Sequence, residues 1–138
     1  MAIKQELKTL HHCVYSLQYH LVLVTKDRRR CITAEMRERL RAIFADLCAK
    51  WDCELMEFGG EPDHIHLLVA LQPKVAPSVF VNNVKTVTSR LIRKEFAEHL
   101  RPIYWKPVFW SRSYCILSVG GAPRSVLERY IEQQAGAD

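Results

Sequence analysis

Pro62-Asp63-His64-Ile65-His66-Leu67-Leu68-Val69-Ala70-Leu71 is an apolar strand with two histidines set into it. Successive side chains on a strand point to opposite faces, so His64 and His66 share one face. Ile65 points the other way, into whatever the sheet packs against. Residues 53 to 59 read as a preceding strand, and Gly59-Gly60 as the start of a turn. The two strands are therefore expected to form a hairpin with a loop longer than a tight turn.

The flanking segments alternate between strand and helix patterns. Residues 1 to 10 look like a short arm. Cys13 to Thr25 alternates and is rich in β-branched and aromatic residues, which predicts one long strand. Lys26-Asp27-Arg28-Arg29-Arg30 follows as a basic turn. Residues 34 to 50 carry Met36, Leu40, Ile43, Phe44 and Leu47 at helical spacing, with Thr33 as N-cap. A second helix is predicted over 77 to 97, with Phe80, Val84, Val87 and Leu91 inward and Asn82, Lys85, Ser89 and Arg93 opposite. Tyr104 to Trp110 is an aromatic, proline-containing loop. Tyr114 to Val119 reads as a strand that Gly120-Gly121 ends, and Pro123 to about Gln134 as a final helix. The order β-α-β-β-α-β plus a C-terminal helix defines an α+β, ferredoxin-like plan: an antiparallel sheet with two helices on one face.

At 138 residues with no internal repeat or linker, the chain reads as a single domain, 1–138. Its formal charge of +5 and pI of about 9.1 favour a polyanionic partner, most often nucleic acid. The competing reading is that a modest positive charge only keeps the chain soluble. Five cysteines, an odd number with no Cys-x-x-Cys, argue against a disulfide framework or a cysteine zinc site and favour a cytoplasmic location. The N-terminus has no signal-peptide pattern, and no apolar run is long enough to cross a bilayer. No Gly-x-x-x-x-Gly-Lys-Ser/Thr loop is present, so no nucleotide cofactor is expected.

Neutral imidazoles bind divalent metals, and two on one face leave positions free for a third ligand and for substrate oxygens. His-x-His alone is a weak signal, because two histidines at a sheet edge also make ordinary hydrogen bonds. Its placement strengthens it: the pair interrupts a core-like strand, and Glu61 and Asp63 precede it. On the last helix, Tyr130 and Gln134 are one turn apart and share a face. Tyr130 is an amphipathic anchor or a nucleophile. A phenol with a pKa of about 10 needs help to attack, which a metal on the phosphate oxygens can give. Lys26, Arg28, Arg29 and Arg30 cluster in one turn, and Lys85, Arg90, Arg93 and Lys94 lie on the second helix. Such residues either contact phosphates or form a solvated face. The aromatic loop either stacks unpaired bases or packs over a sheet edge.

Four segments together resemble the single-tyrosine HUH transposases, the TnpA enzymes of the insertion-sequence 200/605 group. They are Val14-Tyr15-Ser16-Leu17-Gln18-Tyr19-His20-Leu21-Val22, Asp63-His64-Ile65-His66-Leu67-Leu68, Ser113-Tyr114-Cys115-Ile116 into Val119-Gly120-Gly121, and Tyr130-Ile131-Glu132-Gln133-Gln134. The resemblance implies a homodimer with an RRM-like core that cuts and rejoins single-stranded DNA beside imperfect hairpins at the ends of a mobile element. His64 and His66 match the family's histidine pair, Tyr130 its nucleophile and Gln134 its third metal ligand, with Mg²⁺ or Mn²⁺ as the metal. The reaction implied passes through a 5′-phosphotyrosine and a free 3′-hydroxyl. In the family, the tyrosine helix of one subunit can complete the site of the other. Lys26, Arg28, Arg29, Lys85, Arg90 and Arg93 are the candidate DNA contacts. One departure is Asp27, where many relatives carry an aromatic; its negative charge is expected to weaken a DNA contact in that turn.

Three rivals stand beside this reading. A domesticated relative nicking repeated genomic palindromes would use the same residues. A non-catalytic RRM-like RNA binder would carry an RNP1-type motif, which the chain lacks. A metal-dependent phosphoesterase would use His64 and His66 with water, and would leave no covalent protein–DNA species.

Overall fold

The computed structural model describes residues 7–10, 12–119 and 124–133, with side chains in the last segment from Glu128 onward. Eleven elements run along these described residues. Strands β1 (Lys8–Leu10) and β2 (Cys13–Tyr15) form a small antiparallel hairpin. Then come β3 (Gln18–Thr25), a 3₁₀ turn (Lys26–Arg28), α1 (Ala34–Lys50), β4 (Glu54–Glu61) and β5 (His64–Ala70). Helices α2 (Pro77–Glu95) and α3 (Ala97–Leu100), β6 (Trp110–Ser118) and α4 (Arg124–Gln133) complete the chain. The main sheet has the order β4-β5-β3-β6, and every neighbouring pair is antiparallel. This is the ferredoxin-like, α+β plan read from the sequence.

Leu21, Leu23, Ile65, Leu67 and Val69 form the inner face of the sheet. They pack against Met36, Leu40, Ile43, Phe44 and Leu47 of α1 and Phe80, Val81, Val84 and Ile92 of α2. The α1 stripe is the predicted one, and Thr33 caps the helix by accepting a bond from Met36 N at 3.1 Å. The α2 stripe is rotated from expectation: Val87 and Leu91 are only partly buried, and Thr88 is fully buried. A buried hydroxyl must be satisfied, and this one is. Thr88 Oγ1 donates to Val84 O at 2.6 Å and accepts from Trp110 Nε1 at 2.9 Å, which ties α2 to β6.

Five expectations are corrected. The long strand over 13–25 is two strands broken at Ser16-Leu17, because β2 turns back onto β1 while β3 enters the main sheet. The break is hidden in the sequence since Leu21 to Val24 are all buried, so the apolar pattern runs on without alternating cleanly. The supposed arm contributes β1, which Lys8 anchors to Glu54 of β4 at 3.0 Å. The hairpin closes as a tight turn, Pro62-Asp63, between the paired residues Glu61 and His64. Gly59 and Gly60 lie inside β4, opposite His66 and Ile65. Lastly, β6 starts at Trp110 rather than Tyr114, and the helix predicted to 97 ends at Glu95 before a separate turn of helix.

All five cysteines are free thiols. Among the described residues no helix is long and apolar enough to cross a membrane.

Candidate active site

His64 and His66 lie on the outer face of the sheet, away from α1 and α2. Val24 and Glu61 flank His64 in register, and Val22 and Gly59 flank His66. The imidazole centroids are 6.2 Å apart, with the rings tilted by 34°. His64 is buried and His66 half-buried.

Gly59 makes room for this arrangement. A Cβ there would stand 2.9 Å from His66 Cε1 and 3.0 Å from Nε2, so the ring lies directly over the glycine. At Gly60 a Cβ would stand 2.5 Å from the backbone oxygen of His64. The first clash is with a side chain that can swing aside, the second with backbone that cannot. Gly59→Ala is therefore expected to displace the His66 ring and cut activity at least tenfold with little change in melting temperature. Gly60→Ala is expected to destabilise the fold by about 1–3 kcal/mol. Thermal melts beside cleavage assays on both variants check this split.

Asp63 orients His64. Its Oδ1 is 2.8 Å from His64 Nδ1, and its Oδ2 accepts Arg28 Nε at 2.8 Å. With the carboxylate accepting the Nδ1 proton, Nε2 is left with its lone pair, the state a metal ligand needs. Burial alone would push the Asp63 carboxyl up, but the His64 hydrogen bond and then Arg28 more than offset it, so it sits below the usual carboxylate range. The turn carrying Asp63 is stitched to β3 by Thr25 N donating to Asp63 O at 3.0 Å.

Arg28 reaches Asp63 from an unusual backbone. Asp27 and Arg28 have φ of 57° and 52°, left-handed values that cost a non-glycine residue of order 1 kcal/mol each. Aspartate tolerates this region better than an aromatic side chain does. That gives Asp27 a backbone role which its charge did not suggest. Arg28 Nη1 also lies 3.5 Å from Glu132 O, so one guanidinium spans from the histidine turn to the end of α4. Asp63→Asn removes the ion pair and weakens the grip on His64. A 10- to 100-fold loss of cleavage is expected, roughly the usual effect of removing such a support. A carboxyl held low in the fold stabilises above its unfolded pKa of about 3.9, and that contribution fades as pH falls through the folded value. The melting-temperature gap between wild type and variant should accordingly be full at neutral pH and close in acid.

Helix α4 lies against β3. Tyr130 Oη donates to Ser113 Oγ at 3.3 Å, and Ser113 Oγ is 3.3 Å from Ser111 Oγ. Ser113 is two residues before Cys115, which pairs with Val22, which pairs with His66. The tyrosine hydroxyl thus meets the same sheet face as the histidines. It rests on β6, however, which is two strand spacings, roughly 10 Å, from β5. Gln134 lies outside the described residues. Among the described residues no three His, Cys, Asp or Glu side chains come together to hold a metal; the two imidazoles could supply two donors. Two imidazole nitrogens with a carboxamide as third donor suit a divalent cation of intermediate softness, Mn²⁺ ahead of Mg²⁺.

The six candidate DNA contacts divide. Arg28 is engaged by Asp63, and Lys85 Nζ donates to Ser111 O at 2.7 Å and Arg112 O at 2.8 Å while lying 5.6 Å from the Tyr114 ring centre. Both therefore hold the fold together, which burial patterns in a sequence do not reveal. Arg29 reaches Ile103 O at 3.4 Å, and Arg93 Nε donates to Ser89 Oγ at 3.1 Å. Lys26 is half-buried in the turn and Arg90 is exposed on α2.

The profile of the family described as "Transposase IS200 like" matches residues 13–134. The chain belongs to that family. It is 33% identical over 129 residues to the ISDra2 transposase TnpA of Deinococcus radiodurans, covering 94% of this chain and 91% of that one. It is 30% identical over 131 residues to the transposase for insertion sequence element IS200 of Salmonella typhimurium, covering 95% and 85%. Its fold is similar to a crystal structure from Deinococcus radiodurans R1 described as a transposase, with a TM-score of 0.85, 32% identity and coverage of 94% and 99%. A REP-associated tyrosine transposase bound to a REP hairpin shares the fold at a TM-score of 0.56 and 10% identity, over 82% of this chain and 61% of that one.

Proposed function

We propose that this transposase cleaves and rejoins single-stranded DNA at hairpin-bearing element ends, with Tyr130 as nucleophile. The observation that carries the reading is the shared sheet face: an oriented histidine pair on β5 and a tyrosine hydroxyl delivered by α4. Tyr130 Oη attacks the phosphorus, the bond to the 3′ oxygen breaks, and the released strand end takes up a proton as a free 3′-hydroxyl. A second 3′-hydroxyl then attacks the phosphotyrosine and the phenol recovers its proton. One phosphodiester replaces another, so no nucleotide is consumed. A divalent cation on His64, His66 and Gln134 would polarise the phosphate and neutralise charge as it develops. The 33% and 30% identity to the ISDra2 and IS200 transposases supports the mobile-element reading.

The family resemblance, in which the tyrosine helix of one subunit can complete the site of the other, makes a site shared between two copies of the chain the alternative to test. The enzyme is expected to cut a hairpin-bearing single strand and to ignore the same sequence as a perfect duplex. In the same assay, mixing Tyr130→Phe with His64→Ala protein should restore part of the cleavage, since some heterodimers regain one intact site. No recovery despite measured subunit exchange would exclude the shared site. Efficient cutting of the duplex would overturn the strand preference.

A further inference from the structure

The aromatic loop between α3 and β6 splits into two parts that do different things. Phe109 is fully buried and sits edge-on to Tyr104 at 6.4 Å and to Trp110 at 4.6 Å. Tyr104 Oη donates to Lys26 O at 2.8 Å. Those rings pack. Trp105, next to Tyr104, is 94% exposed, the most exposed large apolar side chain among the described residues. An exposed indole offers a flat π-face to a stacking partner.

Trp105 borders a groove of about 350 Å³ whose walls include Arg93, Arg101, Tyr104, Lys106 and Pro107. Three cations line it and no carboxylate does. Arg101 makes only a surface pair with Glu98 at 3.3 Å, with both side chains largely in water, and such pairs are worth little. The loop is also clamped to the turn that carries Arg28. Lys26 N donates to Phe109 O at 2.8 Å, and Arg29 Nη2 to Ile103 O at 3.4 Å. Arg28 in turn holds Asp63 beside His64. The groove therefore lies at the histidine-turn end of the sheet.

We infer that this groove takes one unpaired nucleotide of the DNA strand, its base stacked on Trp105 and its phosphates among Arg93, Arg101 and Lys106. A flat aromatic face with cations around it fits a base joined to a charged backbone, and stacking tolerates any base. The inference rests on the DNA-cleaving reading above and adds to it a subsite off the reacting atoms.

The test uses the full chain and a labelled DNA hairpin with a single-stranded flank, read by fluorescence anisotropy. Trp105→Ala is expected to weaken binding by about 5- to 100-fold, the range for losing one stacked base. Trp105→Phe should regain most of this, and Trp105→Leu should not. Replacing flank nucleotides one by one with abasic residues should reveal a position whose loss weakens wild type and leaves Trp105→Ala unaffected. If the DNA is bound and cut but no position shows that coupling, the subsite is wrong and the cleavage reading stands. If Trp105→Ala changes sedimentation of the protein alone and couples to no base, the face joins two copies and the subsite is again wrong. If wild type binds no hairpin DNA, both readings fall together.

Discussion

Tyr130→Phe protein is expected to form no covalent adduct with hairpin-bearing single-stranded DNA, where wild type forms one that survives denaturation. Loss of a nucleophile costs on the order of 10³-fold or more in rate, so residual cleavage should fall below detection. The substitution keeps the ring and removes only the hydroxyl. In the fold that hydroxyl makes an exposed bond of 3.3 Å to Ser113, and an exposed hydroxyl bond is worth about 1 kcal/mol. Stability and hairpin affinity should therefore stay close to wild type, which separates a chemical defect from a folding one. A Tyr130→Phe protein that still forms the adduct would move the nucleophile elsewhere.

His64→Ala and His66→Ala should each lower cleavage by about 10²-fold or more while leaving hairpin binding within a few-fold, because affinity comes from phosphate contacts. The two variants should differ in stability. His66 is half-buried over a glycine, so its removal opens less buried space than that of His64. His64 is buried, and its loss leaves Asp63 Oδ1 without the imidazole it holds, so a lower melting temperature is expected. A chelator should act like either variant, and Mn²⁺ should restore cleavage at a lower concentration than Mg²⁺. Full cleavage in excess chelator would remove the metal from the account.

Much of this was legible in the sequence because the decisive signals are short and periodic. Alternation placed His64 and His66 on one face, and all five residues predicted for the α1 stripe are buried, with Cys48 beside them. What escaped was set by tertiary contact. Gly59-Gly60 carries the same letters in a turn or a strand. Only the register shows that the glycines lie under His66 and against the His64 backbone. Arg28 and Lys85 read as free cations, because no local pattern announces an ion pair with Asp63 or bonds to the β6 backbone. Thr88 had no place in the predicted α2 stripe, and its bonds to Val84 O and Trp110 Nε1 satisfy the hydroxyl inside. The aromatic loop was ambiguous between packing and stacking for a physical reason: Phe109 and Tyr104 do the first, and Trp105 is left in solvent.

Mass spectrometry of the trapped protein–DNA species tests the central claim most directly. After nuclease trimming and tryptic digestion, the account predicts a nucleotide linked through phosphate to the peptide that begins at Tyr130, with the bond on the Tyr130 oxygen. A nucleotide carried by any other residue, or cleaved DNA with no modified peptide at all, would contradict it.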